Sequence, residues 1–167
     1  MVDTQAEVPL SKSRQWQGLT LAQYVQHRNG VPLGAPDSLK NMLVRSLGAR
    51  SFAEFWRYWN PIWGYALGRY VYAPFRSILL TALAVLLTFA VSGGIHDLVA
   101  TLVRRSGVFL FTPWFLLMGA GVVVGHGLRI DYAERAWATR VVINLAYVLG
   151  CLAITLLARQ IVPGLPD

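Results

Sequence analysis

Three long apolar stretches in the second half of the chain constrain its fold more than any other feature. They lie near residues 77–103, 107–128 and 139–162, and the first is long enough only if it continues through Gly93 and Gly94. A helix needs roughly 20 mainly apolar residues to cross the hydrocarbon core of a bilayer. Charged residues make up only 14% of the chain, whereas a soluble domain carries about 25%. The sequence therefore predicts an all-α integral membrane protein with about three transmembrane helices.

The basic residues are distributed unevenly around these stretches. The chain has 15 Lys and Arg against 8 Asp and Glu, which gives a net charge of +7. Nine of the basic residues precede the first stretch, three lie between the second and third or at the start of the third, and three lie at the opposite ends. Because cytoplasmic loops are enriched in Lys and Arg, this pattern predicts a multi-pass protein of the cell (inner or plasma) membrane with a cytoplasmic N-terminus. No nucleic-acid-binding motif accompanies the charge, so no nucleic-acid partner is expected.

The region before the first stretch divides into two parts. Residues 1–50 form a polar N-terminal arm, and residues 51–76 form an aromatic-rich segment that opens a membrane region continuing to residue 167. Aromatic rings prefer the headgroup level of a bilayer, so the segment is predicted to be an amphipathic, interfacial helix with Arg57 among its polar residues. Five aromatic residues recur at helical spacing and are predicted to line one face: Phe52, Phe55, Trp56, Trp59 and Trp63.

Asn60 and Pro61 interrupt the aromatic segment. Proline disfavours a helical conformation in the residue before it and fits well as the first residue of a new helix. Asn60 is therefore predicted to be an ordinary N-cap of a helix that starts at Pro61. A role for Asn60 in chemistry has to be weighed against this structural one.

His96 and Asp97 place ionisable groups inside the first apolar stretch, directly after Ser92, Gly93 and Gly94. Such groups are costly at membrane depth and usually face a bundle interior or a hydrated cavity. The two glycines permit a bent or broken helix there. Histidine can act as a base near neutral pH, which favours a functional role for His96. The alternative is that His96 lies near the outer interface and forms a hydrogen bond with a neighbouring helix.

The remaining polar residues of the apolar stretches have simpler interpretations. His126 lies near the cytoplasmic end of the second stretch, and antiparallel spans would place it roughly 15 Å in depth from His96. The two histidines are therefore not expected to share a metal or haem iron, and no bound cofactor or metal is predicted. Asn144, in the third stretch, is predicted to form an interhelical hydrogen bond.

Two motifs, in order, resemble the membrane-bound O-acyltransferase (MBOAT) family. Residues 51–60, SFAEFWRYWN, are similar to that family's Ser-x-x-x-Phe-Trp-x-x-Trp-(His/Asn) signature. Residues 89–97, FAVSGGIHD, are similar to the family's histidine block, and thirty-six positions separate Asn60 from His96. The resemblance is to the C-terminal catalytic half of the family and is carried mainly by residues 51–103.

The resemblance implies a reaction and roles for particular residues. Family members transfer an acyl group from a thioester donor, acyl-CoA or an acyl-carrier protein, to a hydroxyl on a lipid, sugar or polymer acceptor. His96 would be the general base and Asn60 the second catalytic residue. Trp56, Arg57 and Trp59 would line or brace the entrance of a substrate tunnel.

The resemblance also implies partners. Family members have many more spans, so three are not expected to enclose a tunnel alone, and the chain is expected to act in the lipid bilayer as a homo-oligomer or with a second multi-span subunit. The alternative function is a non-catalytic membrane anchor or small subunit of a larger membrane complex. A haem or metal carrier is a third possibility, which the separation in depth between His96 and His126 disfavours.

Overall fold

Helices make up the fold throughout residues 18–161, the part of the chain that this computed structural model describes. The first part of the predicted polar arm, residues 1–17, and the end of the third stretch, from residue 162, lie outside the described residues. The α-helices are α1 (Leu21–Asn29), α2 (Ser38–Leu47), α3 (Phe52–Tyr58), α4 (Pro61–Leu67), α5 (Ala73–Ile78), α6 (Thr81–Arg104), α7 (Phe111–Gly127) and α8 (Trp137–Ile161), with a π-helical turn over Gly68–Tyr72 between α4 and α5.

Two of the three predicted spans correspond to helices long and apolar enough to cross a membrane. Helix α6 has 24 residues with a mean hydropathy of 1.8 in its most apolar part, and α8 has 25 residues with a value of 2.4. Helix α7 is equally apolar in character but has only 17 residues, which gives a rise of about 26 Å. Two spans are thus supported by length, and α7 forms a shorter apolar helix between them.

The Gly93–Gly94 pair does not break α6, which continues as one helix from Thr81 to Arg104. Its effect is on packing instead. A Cβ atom added to Gly93 would lie 2.6 Å from the Cα of Thr112 and 2.7 Å from the carbonyl oxygen of Phe111. Gly93 therefore lets the backbone of α7 approach α6 directly, as small residues do at the interfaces of membrane helices. The close approach brings the start of α7 beside the histidine block.

Replacing Gly93 with alanine is expected to lower the free energy of unfolding by about 2 kcal/mol, because the added methyl group meets backbone that cannot rotate away. Gly94→Ala is the matched control, since its Cβ would meet only the Thr112 Oγ1 atom at an ordinary 3.8 Å. Reversible unfolding of the two variants in detergent measures the difference. Equal stabilities would contradict the assignment of Gly93 as the contact point between α6 and α7.

The core of the described fold is built around α3. Phe52 and Phe55 are each 3% exposed and pack with Ala49 and Met118. The ring of Phe52 also stacks on Tyr147 of α8, with centroids 4.7 Å apart. Helix α3 therefore directs these two rings into the protein, between α7 and α8, and its buried face anchors the segment that precedes Asn60.

Asn144 joins α8 to the connection between α2 and α3, which confirms the predicted interhelical hydrogen bond. Its side-chain amide donates to the carbonyl oxygens of Leu47 and Ala49 at 2.9 and 3.0 Å. Its Oδ1 atom accepts a 2.6 Å hydrogen bond from the hydroxyl of Tyr132. Burial raises the pKa of Tyr132, so this hydroxyl keeps its proton and remains a donor. The network fixes the N-terminal half of α8 against the N-terminal helices.

Candidate functional site

The Asn60–Pro61 junction turns the chain between α3 and α4. Asn60 has a left-handed backbone conformation (φ 42°, ψ 72°), which asparagine tolerates better than most residues. Its Oδ1 atom accepts a hydrogen bond from the backbone N–H of Trp63 at 3.2 Å, and Pro61 is the first residue of α4. The predicted N-cap is confirmed. Within residues 18–161 the Asn60 amide nitrogen has no hydrogen-bond acceptor, and the side chain is exposed.

The turn at Asn60 divides the predicted aromatic face. Phe52, Phe55 and Trp56 belong to α3 and pack toward the core, whereas Trp63 belongs to α4 and extends toward α6. The prediction that all five aromatic residues share one face is therefore wrong for Trp63. The physical reason is the left-handed residue Asn60 between the helices. The five residues could share one face only on a single uninterrupted helix, and Asn60 ends that helix.

His96 lies on α6 with its imidazole held in a defined orientation. The Nδ1 atom is 2.7 Å from the backbone carbonyl oxygen of Ser92, one helical turn earlier. A carbonyl oxygen can only accept, so Nδ1 carries the proton and donates it in this bond. The Nε2 atom is then left with its lone pair. No hydrogen-bond donor from the described part of the chain occupies it.

Trp63 connects the Asn60 turn to the His96 helix. Its indole Nε1 donates a 2.9 Å hydrogen bond to the Oγ atom of Ser92, whose carbonyl oxygen accepts the bond from His96. The Trp63 and His96 rings meet edge to face, with centroids 6.0 Å apart. Asn60 and His96, predicted as a pair from sequence order, are thus joined through two intervening residues, neither of which sequence reasoning had assigned to the site.

Phenylalanine rings from α7 complete the surroundings of His96. The imidazole centroid lies 5.0 Å from the ring of Phe115 and 5.6 Å from that of Phe111. Together with Trp63 they give His96 an aromatic setting from which bulk water is partly displaced, and the residue is half-buried. The centroid of the Phe115 ring also lies 6.3 Å from that of Trp56. Phe115 is therefore a neighbour of both Trp56 on α3 and His96.

Asp97 does not orient the imidazole but holds the start of α7. Its carboxylate is 6% exposed and accepts three backbone N–H bonds at 2.8 Å, from Leu110 and Phe111 on Oδ1 and from Thr112 on Oδ2. The first N–H groups of a helix lack partners within the helix, so a carboxylate there acts as an N-cap from a distant residue. Asp97 thereby fixes the phenylalanine rings that pack on His96.

The three residues predicted to line a tunnel entrance have different environments. Trp56 is half-buried and packs edge to face on Phe89 at 5.0 Å. Its indole Nε1 is buried and has no hydrogen-bond partner among residues 18–161. Trp59 is 36% exposed and stacks on Phe55 at 5.4 Å. Arg57 is exposed. Of the three, Trp56 is the one that the structure brings near His96, through Phe115.

The other polar candidates lie away from this group. His126 is exposed in the last turn of α7. Within residues 18–161, no three His, Cys, Asp or Glu side chains are grouped so that they could hold a metal ion. Sequence reasoning missed four neighbours of His96. Three of them, Trp63, Phe111 and Phe115, pack on its ring from other helices. The fourth, Ser92, lies one helical turn before it and binds Trp63 across 29 residues.

Comparison with known proteins agrees with the order of these motifs. The sequence model of the membrane-bound O-acyltransferase family matches residues 19–157, which include all eight helices except the last turn of α8. No curated protein and no solved structure matches the chain. The family match extends beyond both motifs and covers most of the chain. The chain belongs to the membrane-bound O-acyltransferase family.

Proposed function

We propose that the chain is a membrane-embedded O-acyltransferase, or a fragment or subunit of one, in which His96 is the general base. Family membership supports O-acyl transfer in a membrane at the level of the family. The observation that carries the residue assignment is the hydrogen bond from His96 Nδ1 to the Ser92 carbonyl oxygen at 2.7 Å. This bond leaves the Nε2 lone pair available to accept a proton.

The proposed reaction transfers an acyl group from a thioester to a hydroxyl. An alcohol is a weak nucleophile, so His96 Nε2 takes the hydroxyl proton while the oxygen attacks the thioester carbonyl. The resulting tetrahedral intermediate loses the thiolate, and the proton on the imidazolium neutralises that thiolate. The products are an ester and a thiol, and His96 returns to its starting state.

A developing oxyanion needs hydrogen-bond donors that are already oriented. The Asn60 amide nitrogen has no acceptor within residues 18–161, and its carbonyl is occupied as the cap of α4, which fixes the direction of the amide. The buried Nε1 of Trp56, which has no partner in the described part of the chain, is a second donor near Phe115. Buried donors normally have partners, so a substrate carbonyl is the expected acceptor for Trp56. Trp59 and Arg57 would lie further out, at the entrance.

The donor is proposed to be acyl-CoA or an acyl-carrier protein, and the acceptor a hydroxyl-bearing lipid, sugar or polymer. We place the chain as a multi-pass protein of the cell membrane with the start of α6, the end of α7 and the start of α8 on the cytoplasmic side, where twelve of its fifteen basic residues would lie. A homo-oligomer or a second multi-span subunit would supply the rest of the tunnel.

Acyl transfer is tested with the full chain reconstituted in lipid, alone and in membranes that contain its natural partners. A thioester donor and a panel of hydroxyl acceptors are supplied, and both ester formation and thiol release are measured. Transfer above a protein-free control supports the proposal. Failure in both preparations, with the protein folded, argues against it.

The alternative is a non-catalytic anchor or small subunit of a membrane complex. It is favoured by the large apolar side chains that α8 leaves exposed, among them Val142, Leu149 and Ile154, because such a face suits lipid or another membrane helix. Isolation of a stoichiometric partner, whose activity is unchanged when both His96 and Asn60 are substituted, would select this function over catalysis.

Replacing Asn60 separates its capping role from its proposed catalytic role. Asn60→Asp keeps an oxygen that can cap α4 but removes the amide donor, so turnover is expected to fall about 100-fold with little loss of stability. Asn60→Ala removes both and is expected to lower the free energy of unfolding by a further ~1 kcal/mol. Turnover and unfolding are measured on the same preparations. Unchanged turnover in Asn60→Asp would restrict Asn60 to the cap.

A further inference from the structure

An open cavity of about 360 Å³ lies where α2, α3 and the first turn of α8 meet. Four charged side chains line it, Arg45, Arg50, Glu54 and Arg140. None of its lining residues belongs to the group around His96. Three guanidinium groups against one carboxylate give the cavity a positive potential, and concave positive surfaces concentrate anions.

Arg50 is already paired within the protein. Its Nε atom lies 3.9 Å from Glu54 Oε2 and 3.6 Å from Asp131 Oδ2. Its backbone N–H also donates to Glu54 Oε2 at 2.9 Å. The single positive charge of Arg50 therefore faces two carboxylates, and these three groups together carry a net negative charge. The positive character of the cavity depends on its other two arginines.

Arg45 and Arg140 have no carboxylate within 4 Å in the part of the chain that the structure describes. The Arg45 guanidinium lies over the ring of Tyr58, 4.9 Å from its centroid, which fixes its plane at the cavity wall. The Nε atom of Arg140 is buried and has no hydrogen-bond acceptor within residues 18–161. A buried charged group without a partner is unfavourable. An anion in the cavity would balance the charge of this guanidinium group.

A further feature strengthens the positive potential. Trp137 and Arg140 belong to the first turn of α8, which contains no acidic residue, so no carboxylate within that turn offsets the partial positive charge of the helix end.

We propose that this cavity binds a phosphate group, carried either by an anionic lipid headgroup or by a soluble phosphate compound. Guanidinium groups form paired, charge-assisted hydrogen bonds with phosphate oxygens, and phosphate offers several acceptors to the two arginines that line the cavity from different helices. The cavity lies beside the first residues of α8, a candidate span, where headgroup phosphates are found in a bilayer. This inference is independent of acyl transfer.

The test uses the folded full chain and two probes. Inorganic phosphate is titrated into the detergent-solubilised protein by calorimetry, and lipid retention is measured by native mass spectrometry after exchange into phosphatidic acid or phosphatidylcholine. The double variant Arg45→Gln/Arg140→Gln is expected to weaken binding about tenfold or more. Arg129→Gln/Arg135→Gln is the matched control, because it removes the same charge from exposed positions outside the cavity. It is expected to leave binding unchanged.

Saturable binding of inorganic phosphate supports a soluble ligand, and selective retention of phosphatidic acid supports a lipid headgroup. Either kind of binding supports the proposed site if Arg45→Gln/Arg140→Gln loses it and Arg129→Gln/Arg135→Gln keeps it. Equal weakening in both double variants would show a general attraction of charge and overturn the proposal. Absence of saturable binding of either probe to the wild-type protein would also overturn it. If Arg45→Gln/Arg140→Gln does not fold, the single variant Arg45→Gln takes its place and is compared with the same control.

Discussion

Replacing His96 with alanine is expected to lower acyl transfer at least about 100-fold, the usual contribution of a positioned general base. The Nδ1 proton of His96 is committed to the Ser92 carbonyl oxygen at 2.7 Å, which leaves Nε2 as the proton acceptor. Alanine removes this proton acceptor, so the substrate hydroxyl has to react without a base. Initial rates of ester formation and thiol release, measured on reconstituted protein, give the fold-change.

Alanine also removes a ring that packs on Trp63 and Phe115, so stability has to be measured beside activity. His96→Gln preserves more of the side-chain volume and is expected to lose activity to a similar extent with a smaller loss of stability. Added imidazole is expected to restore part of the rate to His96→Ala, because it can occupy the vacated space and accept the proton. A purely structural role for His96 would not give this rescue.

His126→Gln is the matched control. His126 is exposed in the last turn of α7, so its replacement is expected to leave both rate and stability unchanged. Full turnover in folded His96→Ala would remove His96 from the mechanism and favour the role of anchor or subunit. An equal loss of rate in the His126 variant would show that the assay responds to any histidine substitution.

The features that the sequence could predict depend on neighbours along the chain. Apolar runs of sufficient length predicted α6 and α8, and the rule for residues before proline predicted the cap at Asn60. A lone polar residue in an apolar stretch predicted the hydrogen bonds of Asn144. In each case the physical cause acts within a few residues or through the need to satisfy one buried group.

The features that could not be predicted depend on contacts between distant segments. In the sequence the glycine pair only permits a bent or broken helix, and it is the approach of α7 that shows that Gly93 serves close packing. The Trp63–Ser92 hydrogen bond joins residues 29 positions apart. The aromatic periodicity assigned Trp63 to the same face as Phe52, because residue spacing alone does not reveal the left-handed turn between the two helices. The immediate setting of His96 could therefore not be derived from spacing.

Replacing Asp97 with alanine is expected to lower the free energy of unfolding by at least about 3 kcal/mol, because three backbone donors lose a charged acceptor together. The carboxylate accepts from Leu110, Phe111 and Thr112 at 2.8 Å and is 6% exposed. Reversible unfolding in mixed detergent micelles, followed by circular dichroism, measures the loss. Asp131→Ala is the control, since its exposed carboxylate accepts from one backbone N–H, that of Ala133, and otherwise pairs with the exposed Arg50 at 3.6 Å. Exposed ion pairs contribute little, so its removal is expected to have a much smaller effect.

Asp97→Asn tests whether geometry or only polarity holds the start of α7. An asparagine oxygen can replace Oδ1 and accept from Leu110 and Phe111, but its amide group would then face the N–H of Thr112, donor against donor. We expect a stability between those of the wild type and Asp97→Ala. Because Phe111 and Phe115 pack on His96, acyl transfer should fall in the same order. Wild-type stability in Asp97→Ala would mean that the close contact of α7 with Gly93 fixes this end of the helix without the carboxylate.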